Sequence, residues 1–193
     1  NEEAHGVTVN GTIAGAANAA STKDIFIYDY TIMDGLALKA SYTPSDGATA
    51  VDSSMDYGVL YTGIEGLSLY AALGENNNAA AGIDNSMFGA TYAAGAFTIG
   101  YQVNDTDSSA ANGDEEFTAM GISYAVSDDL SVSLNSSTID FESGTNDQEA
   151  TGISFSYTSG GMTISASHST VDNVGGTGTA DNTGYEINFG FAF

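Results

Sequence analysis

Asp29, Lys39, Asp56, Gln102, Asn135, Glu186 and Asn188 each stand on the polar side of a stretch in which bulky apolar residues alternate with small or polar ones. Carboxylates, amides and a single ammonium group placed this way can attract, repel or hydrogen-bond a passing solute. They do not pair a nucleophile with its base. The plain alternative for each of them is an ordinary solvated wall residue.

Other chemistries have little to stand on. The chain has no Cys, so disulfides, thiolate metal sites and cysteine nucleophiles are excluded. His168 lies among serines in "MTISASHST", and a Ser-His pair could in principle cleave a lipid ester, as in a phospholipase built on a barrel. Serine is so abundant here that its proximity carries no weight, and no motif surrounds the histidine. The stretches "NDTDSSAANGDEE" and "DNVGGTGTADN" are rich in oxygen ligands and punctuated by Gly, the look of calcium loops. They lack both the helix-loop-helix spacing and the nonapeptide repeat such sites use, so solvated loops are expected and no metal or cofactor is assigned.

Charge narrows the partners. Asp plus Glu number 25 against 2 Lys plus Arg, for a formal net charge of -23. Almost nothing could neutralise phosphate, and nucleic acid is excluded as a partner. Hydrophobic residues make up 42% and aromatics 10%, too much apolar material for a solvating tail, so the chain folds.

The elements that must position these groups are strands. "FIYDYTI" sets Phe26, Tyr28, Tyr30 and Ile32 against Ile27, Asp29 and Thr31, and after "MDG" the segment "GLALKASYT" alternates in the same way. Four more pairs follow, around Glu65-Gly66, Ala94-Gly95, Ser127-Asp128-Asp129 and Gly160-Gly161, and "GYEINFGFAF" closes the chain as a single strand. This predicts about eleven strands from Asp24 onward, with "HGVTVNGTI" a possible twelfth. Short turns take turns with long polar stretches, into which 15 of the 25 carboxylates fall by this reading.

One face of these strands is continuously apolar, as in Phe97, Ile99, Tyr101 and Val103, or Tyr185, Ile187, Phe189, Phe191 and Phe193. The other is small or polar, as in Ser131, Ser133 and Asn135, or Glu186, Asn188 and Gly190. Alternation alone also fits a soluble sandwich. Segments of about nine to eleven residues match a tilted bilayer crossing, however, and Tyr30, Tyr61, Tyr124 and Tyr157 gather at the short-turn ends, where an interfacial girdle belongs. The expected fold is all-β, a transmembrane antiparallel up-and-down β-barrel whose polar side lines water. The rival from another class is a secreted acidic β-sandwich or solenoid, adhesive or calcium-binding.

The stretches "TIMDGLALKASYTPSDG", "MDYGVLYTGIEGLSLYAALGE", "YAAGAFTIGYQVND", "GISYAVSDDLSVSLNSS" and "INFGFAF" together resemble the Gram-negative trimeric general porins, particularly the alphaproteobacterial type. The resemblance covers roughly residues 24–193. It implies a diffusion channel rather than an enzyme, in the Gram-negative outer membrane, in contact with membrane lipid and lipopolysaccharide and assembled as a homotrimer. It also implies that Tyr185, Phe189, Phe191 and Phe193 form a terminal signal read by the barrel-assembly machinery. Porins of this type look sixteen-stranded, so a part of such a barrel is expected here, the alternative being a complete barrel of about twelve strands, with residues 1–23 either a remnant of the constriction loop or a further strand. The family's wall of basic residues has no counterpart in a chain whose cations are Lys23 and Lys39, which points to a cation-preferring pore.

Overall fold

The computed structural model describes residues 25–45, 53–77 and 82–192. These form eleven strands: β1 (Phe26–Met33), β2 (Leu36–Thr43), β3 (Ser54–Ile64), β4 (Leu67–Asn76), β5 (Ile83–Ala94), β6 (Phe97–Ser108), β7 (Glu115–Ala125), β8 (Leu130–Phe141), β9 (Gln148–Ser159), β10 (Met162–Asp172) and β11 (Asn182–Phe191). They make one sheet in chain order, each strand antiparallel to the next. Consecutive antiparallel pairing is the up-and-down arrangement that the hairpin pattern predicts. Strands β1 and β11 are the edges of the sheet. The possible strand at "HGVTVNGTI", the assignment of residues 1–23 and the side chain of Phe193 lie outside the described residues.

The turns explain why the chain reverses where it does. Each two-residue turn holds a glycine at positive φ, for example Gly35 (+79°) and Gly66 (+75°), where an L side chain would be strained. The third turn falls at residues 95–96, one position later than the sequence pattern suggests, because Ala94 still pairs with Phe97. Short connections at residues 34–35, 65–66, 95–96, 126–129 and 160–161 alternate with long ones at residues 44–53, 77–82, 109–114, 142–147 and 173–181. The strand ends joined by short turns therefore lie at one end of the sheet and those joined by long connections at the other.

One expectation needs correction. The strands run further into the polar stretches than alternation suggests, so Glu75, Asp84, Asp105, Asp107, Glu115, Glu116, Asp140, Glu149 and Asp172 lie on strand ends and not in loops. A twelve-residue strand such as β6 is about 40 Å long at ~3.3 Å per residue, more than a tilted crossing needs. The hydrogen-bond ladder continues past the apolar band because its register is already set. Above the band a carboxylate on either side meets water.

Among the described residues no second layer covers the sheet. The buried hydrophobic residues are Tyr70, Ala119 and Ala150, whereas large apolar side chains such as Ile99, Met120, Ile153 and Phe189 are exposed. A water-soluble sandwich buries this face against another sheet. That rival is overturned: the apolar side chains need an apolar solvent.

Candidate functional site

The polar side chains line the concave face. Register places Ser123 opposite Ser133, Ser133 opposite Ser154, Ser154 opposite Ser167 and Ser167 opposite Glu186, a row that crosses five strands. These residues, with Thr98, Asn135, Ser156, Ser165 and Asn188, bound a cavity of about 460 Å³. Hydroxyls knit the wall where they meet, as in the 2.6 Å contact between Ser133 and Ser154. Asn135 leans across Gly152, where a Cβ would sit 2.6 Å from Asn135 Oδ1. Small residues keep this wall thin and leave the space in front of it open.

The sequence-derived candidates all fall on this polar side, and the structure joins some of them. Asn135, Glu186 and Asn188 share the cavity, and Asn188 Nδ2 donates to Glu186 Oε1 at 2.9 Å. Asp29 and Lys39 face each other across β1 and β2 and form an exposed ion pair of 3.3 Å. Gln102 on β6 accepts a hydrogen bond from the Tyr70 hydroxyl at 3.2 Å and donates to Asn104 Oδ1 at 2.9 Å. Asp56 on β3 is buried, and Ser41 Oγ donates to its Oδ2 at 2.7 Å. It is part of neither the cavity nor the Asp29–Lys39 pair.

Several wall residues escape a reading by residue type. Tyr70 is inward, opposite Gly89, because β4 carries its polar-side set at Ser68, Tyr70, Ala72 and Gly74. Phe117, Ile139 and Phe141 are also inward, at the long-connection end, as their pairing with one another and with Glu115 and Gln148 requires. The two last long connections fold together above Phe141. Thr145 Oγ1 donates to the Gly176 carbonyl at 3.3 Å, and Asn173 Nδ2 donates to the Asp147 carbonyl at 3.0 Å. Only the pairing register, counted inward from the hairpin turns, could have placed these apolar groups on the wet side.

The opposite face carries the girdle and the histidine. Tyr30, Tyr61, Tyr92, Tyr124 and Tyr157 point outward near the short turns, and Tyr124 stacks on Phe97 with ring centroids 4.5 Å apart. His168 points outward between Ile153 and Tyr185, its ring 4.5 Å from the tyrosine ring. Ser167 and Ser169 take the other face by alternation, which leaves the histidine without a neighbouring serine on its own side. The lipid-hydrolase reading loses its nucleophile.

The sequence matches the family described as Gram-negative porin over residues 1–157. The chain belongs to that porin family. Members of this family are channels rather than enzymes and sit in the outer membrane of Gram-negative bacteria. No curated protein matches the sequence. Among solved structures, the porin resembles the anion-selective porin from Comamonas acidovorans, at 16% identity and a TM-score of 0.76, covering 88% of this chain and 59% of that one. It also resembles the outer-membrane OmpT of Vibrio cholerae, at 18% identity and a TM-score of 0.63, covering 86% and 64%. A third is OccK11 (OpdR) of Pseudomonas aeruginosa, at 8% identity and a TM-score of 0.67, covering 84% and 57%. At these identities the likeness is one of fold. The porin described here spans about three fifths of the length of these structures.

Proposed function

We propose that this sheet is the wall of an outer-membrane diffusion channel that passes ions and small hydrophilic solutes down their gradients. The observation that carries the reading is the inverted distribution of side chains, with serine, threonine and amide groups on the concave face and bare aliphatic and aromatic groups on the convex one. In hydrocarbon every strand edge must pair, so in the working protein β1 and β11 meet partner strands that complete a barrel. A hydrated path lowers the barrier to crossing lipid without any catalytic group, and its lining selects by size and charge.

Asp29, Lys39, Gln102, Asn135, Glu186 and Asn188 are the wall groups that a solute would meet, while Asp56, on the same side, is buried in the wall. With a formal charge of -23 and two cationic side chains, the channel concentrates cations and repels anions. The Comamonas porin of similar fold is described as anion-selective, a property of that protein's own residues. Assembly as a homotrimer, contact with lipopolysaccharide, insertion by the barrel-assembly machinery through Tyr185, Phe189, Phe191 and Phe193, and the alphaproteobacterial subtype are proposals from the family resemblance. Planar-bilayer recording across a KCl gradient tests the function. Steady ohmic conductance with a reversal potential on the cation side supports it, anion preference removes the selectivity, and absence of conductance removes the channel.

A further inference from the structure

Phe141 closes β8 and Gln148 opens β9, and both stand on the inner face at the long-connection end of the sheet. Each holds a piece of chain from the connection that follows β10, residues 173–181. Gly175 N donates to Gln148 Oε1 at 2.9 Å, and Gly176 is buried so close to the Phe141 ring that a Cβ on it would lie 3.1 Å from Cδ2. Held at these two points, residues 175–176 lie on the water side of the wall and do not continue the line of β10.

The same connection is joined to residues 142–147. Besides the bonds from Thr145 to Gly176 and from Asn173 to Asp147, a Cβ at Gly176 would meet Gly144 Cα at 3.1 Å and one at Gly178 would meet Asn146 Nδ2 at 2.7 Å. Glycine at position 176 is required twice over, since its φ is also +73°, a region that L side chains rarely adopt. Within residues 173–181, Val174 N donates to the Ala180 carbonyl at 2.7 Å and Asn173 N to Asp181 Oδ1 at 3.1 Å. The two connections therefore hold themselves, each other and the wall as one body.

We propose that residues 142–147 and 173–181 form a ledge docked on Phe141 and Gln148, and that this ledge sets the largest neutral solute the channel's mouth admits. Backbone packed on the face of a sheet stands up to about 10 Å off it, a large step for a small hydrophilic solute. Phe141, Gln148 and Gly176 carry no charge, so the ledge acts on size and leaves ion preference to the charged wall groups. Its effect on solutes rests on the channel reading above; its docking does not.

The test reconstitutes the full chain in vesicles and bilayers and measures swelling in neutral sugars of increasing size together with single-channel conductance. Phe141→Ala combined with Gln148→Ala removes both anchors and is expected to admit larger sugars and to raise conductance, with the reversal potential unmoved. Gly176→Val keeps both anchors, drives the chain off them and is expected to do the same. Should the double variant fail to fold, Gly176→Val decides. An unchanged exclusion limit and conductance in both variants overturn the ledge. Docking is read separately, because the chain has no cysteine of its own: Asn146→Cys combined with Gly178→Cys is expected to form a disulfide on mild oxidation, and failure to do so overturns the joined connections. Cross-linking without conductance in the unaltered chain removes the channel and keeps the docked body, whereas conductance with an unchanged exclusion limit removes the ledge and keeps the channel.

Discussion

Tyr70 on β4 lies across Gly89 on β5, so closely that a Cβ at position 89 would overlap its ring, and from there its hydroxyl reaches Gln102 on β6. Three strands are pinned by one aromatic side chain on the wet face, and that side chain is among the few buried ones in the sheet. Gly89→Ala is expected to force the ring off the wall and to cost about 1–3 kcal/mol, the usual penalty for overpacking. Tyr70→Phe removes only the hydrogen bond to Gln102 and is expected to cost about 1 kcal/mol. Urea unfolding in detergent checks both, and a midpoint for Gly89→Ala equal to that of the unaltered chain would contradict the geometry.

Ile153 and Ser154 are neighbours in sequence on opposite sides of β9. Ile153 is 52% exposed, and Ser154 bonds to Ser133 in the wall. Ile153→Arg is expected to destabilise the protein in lipid by about 2–4 kcal/mol, the cost of a cation near the bilayer midplane. Ser154→Arg is expected to cost about 1 kcal/mol through the lost hydroxyl contact. Folding yield into vesicles across a urea series measures the difference.

The outward carboxylates above the apolar band stand against one another. Asp84 on β5 has Glu75 directly opposite on β4 and Asp107 directly opposite on β6, with no cationic side chain in that row. Like charges in direct cross-strand pairs destabilise a sheet by about 0.2–1 kcal/mol per pair. Asp84→Lys is therefore expected to raise the unfolding midpoint in low salt, with the gain shrinking as the Debye length falls. A gain that does not shrink with salt would assign the effect to something other than charge.

Lys39 is the cation of the described wall, and both members of its pair with Asp29 are more than half exposed. Removing such a pair costs little stability, about 0–1 kcal/mol. Its effect belongs to permeation: Lys39→Gln is expected to move the reversal potential further to the cation side, and Asp29→Asn to move it back. Movement in the same direction by both would show that the pair does not act as wall charge.

Period-two alternation and glycine at the turns made the strands legible from sequence, because both are local properties of the backbone. Strand ends were not legible: β6 runs through Asp105 and Asp107 because the ladder with β5 carries it, and the residues themselves read as loop. The wall was legible where polarity matched side, as at Asn135 and Glu186. It was hidden where an apolar group faces water, as at Tyr70 and Phe141, since only the pairing register fixes their side. Burial of Asp56 was equally out of reach, because it depends on Gly74 one strand away and 18 positions on in the chain.

The central claim is that the concave polar face meets water and the convex apolar face meets lipid. The chain contains no cysteine, so single cysteines introduced in turn from Gly152 to Tyr157 report without background. After refolding into vesicles, a charged, membrane-impermeant thiol reagent is predicted to label Gly152→Cys, Ser154→Cys and Ser156→Cys rapidly and Ile153→Cys, Phe155→Cys and Tyr157→Cys slowly. Uniform labelling, or the opposite alternation, would contradict the account.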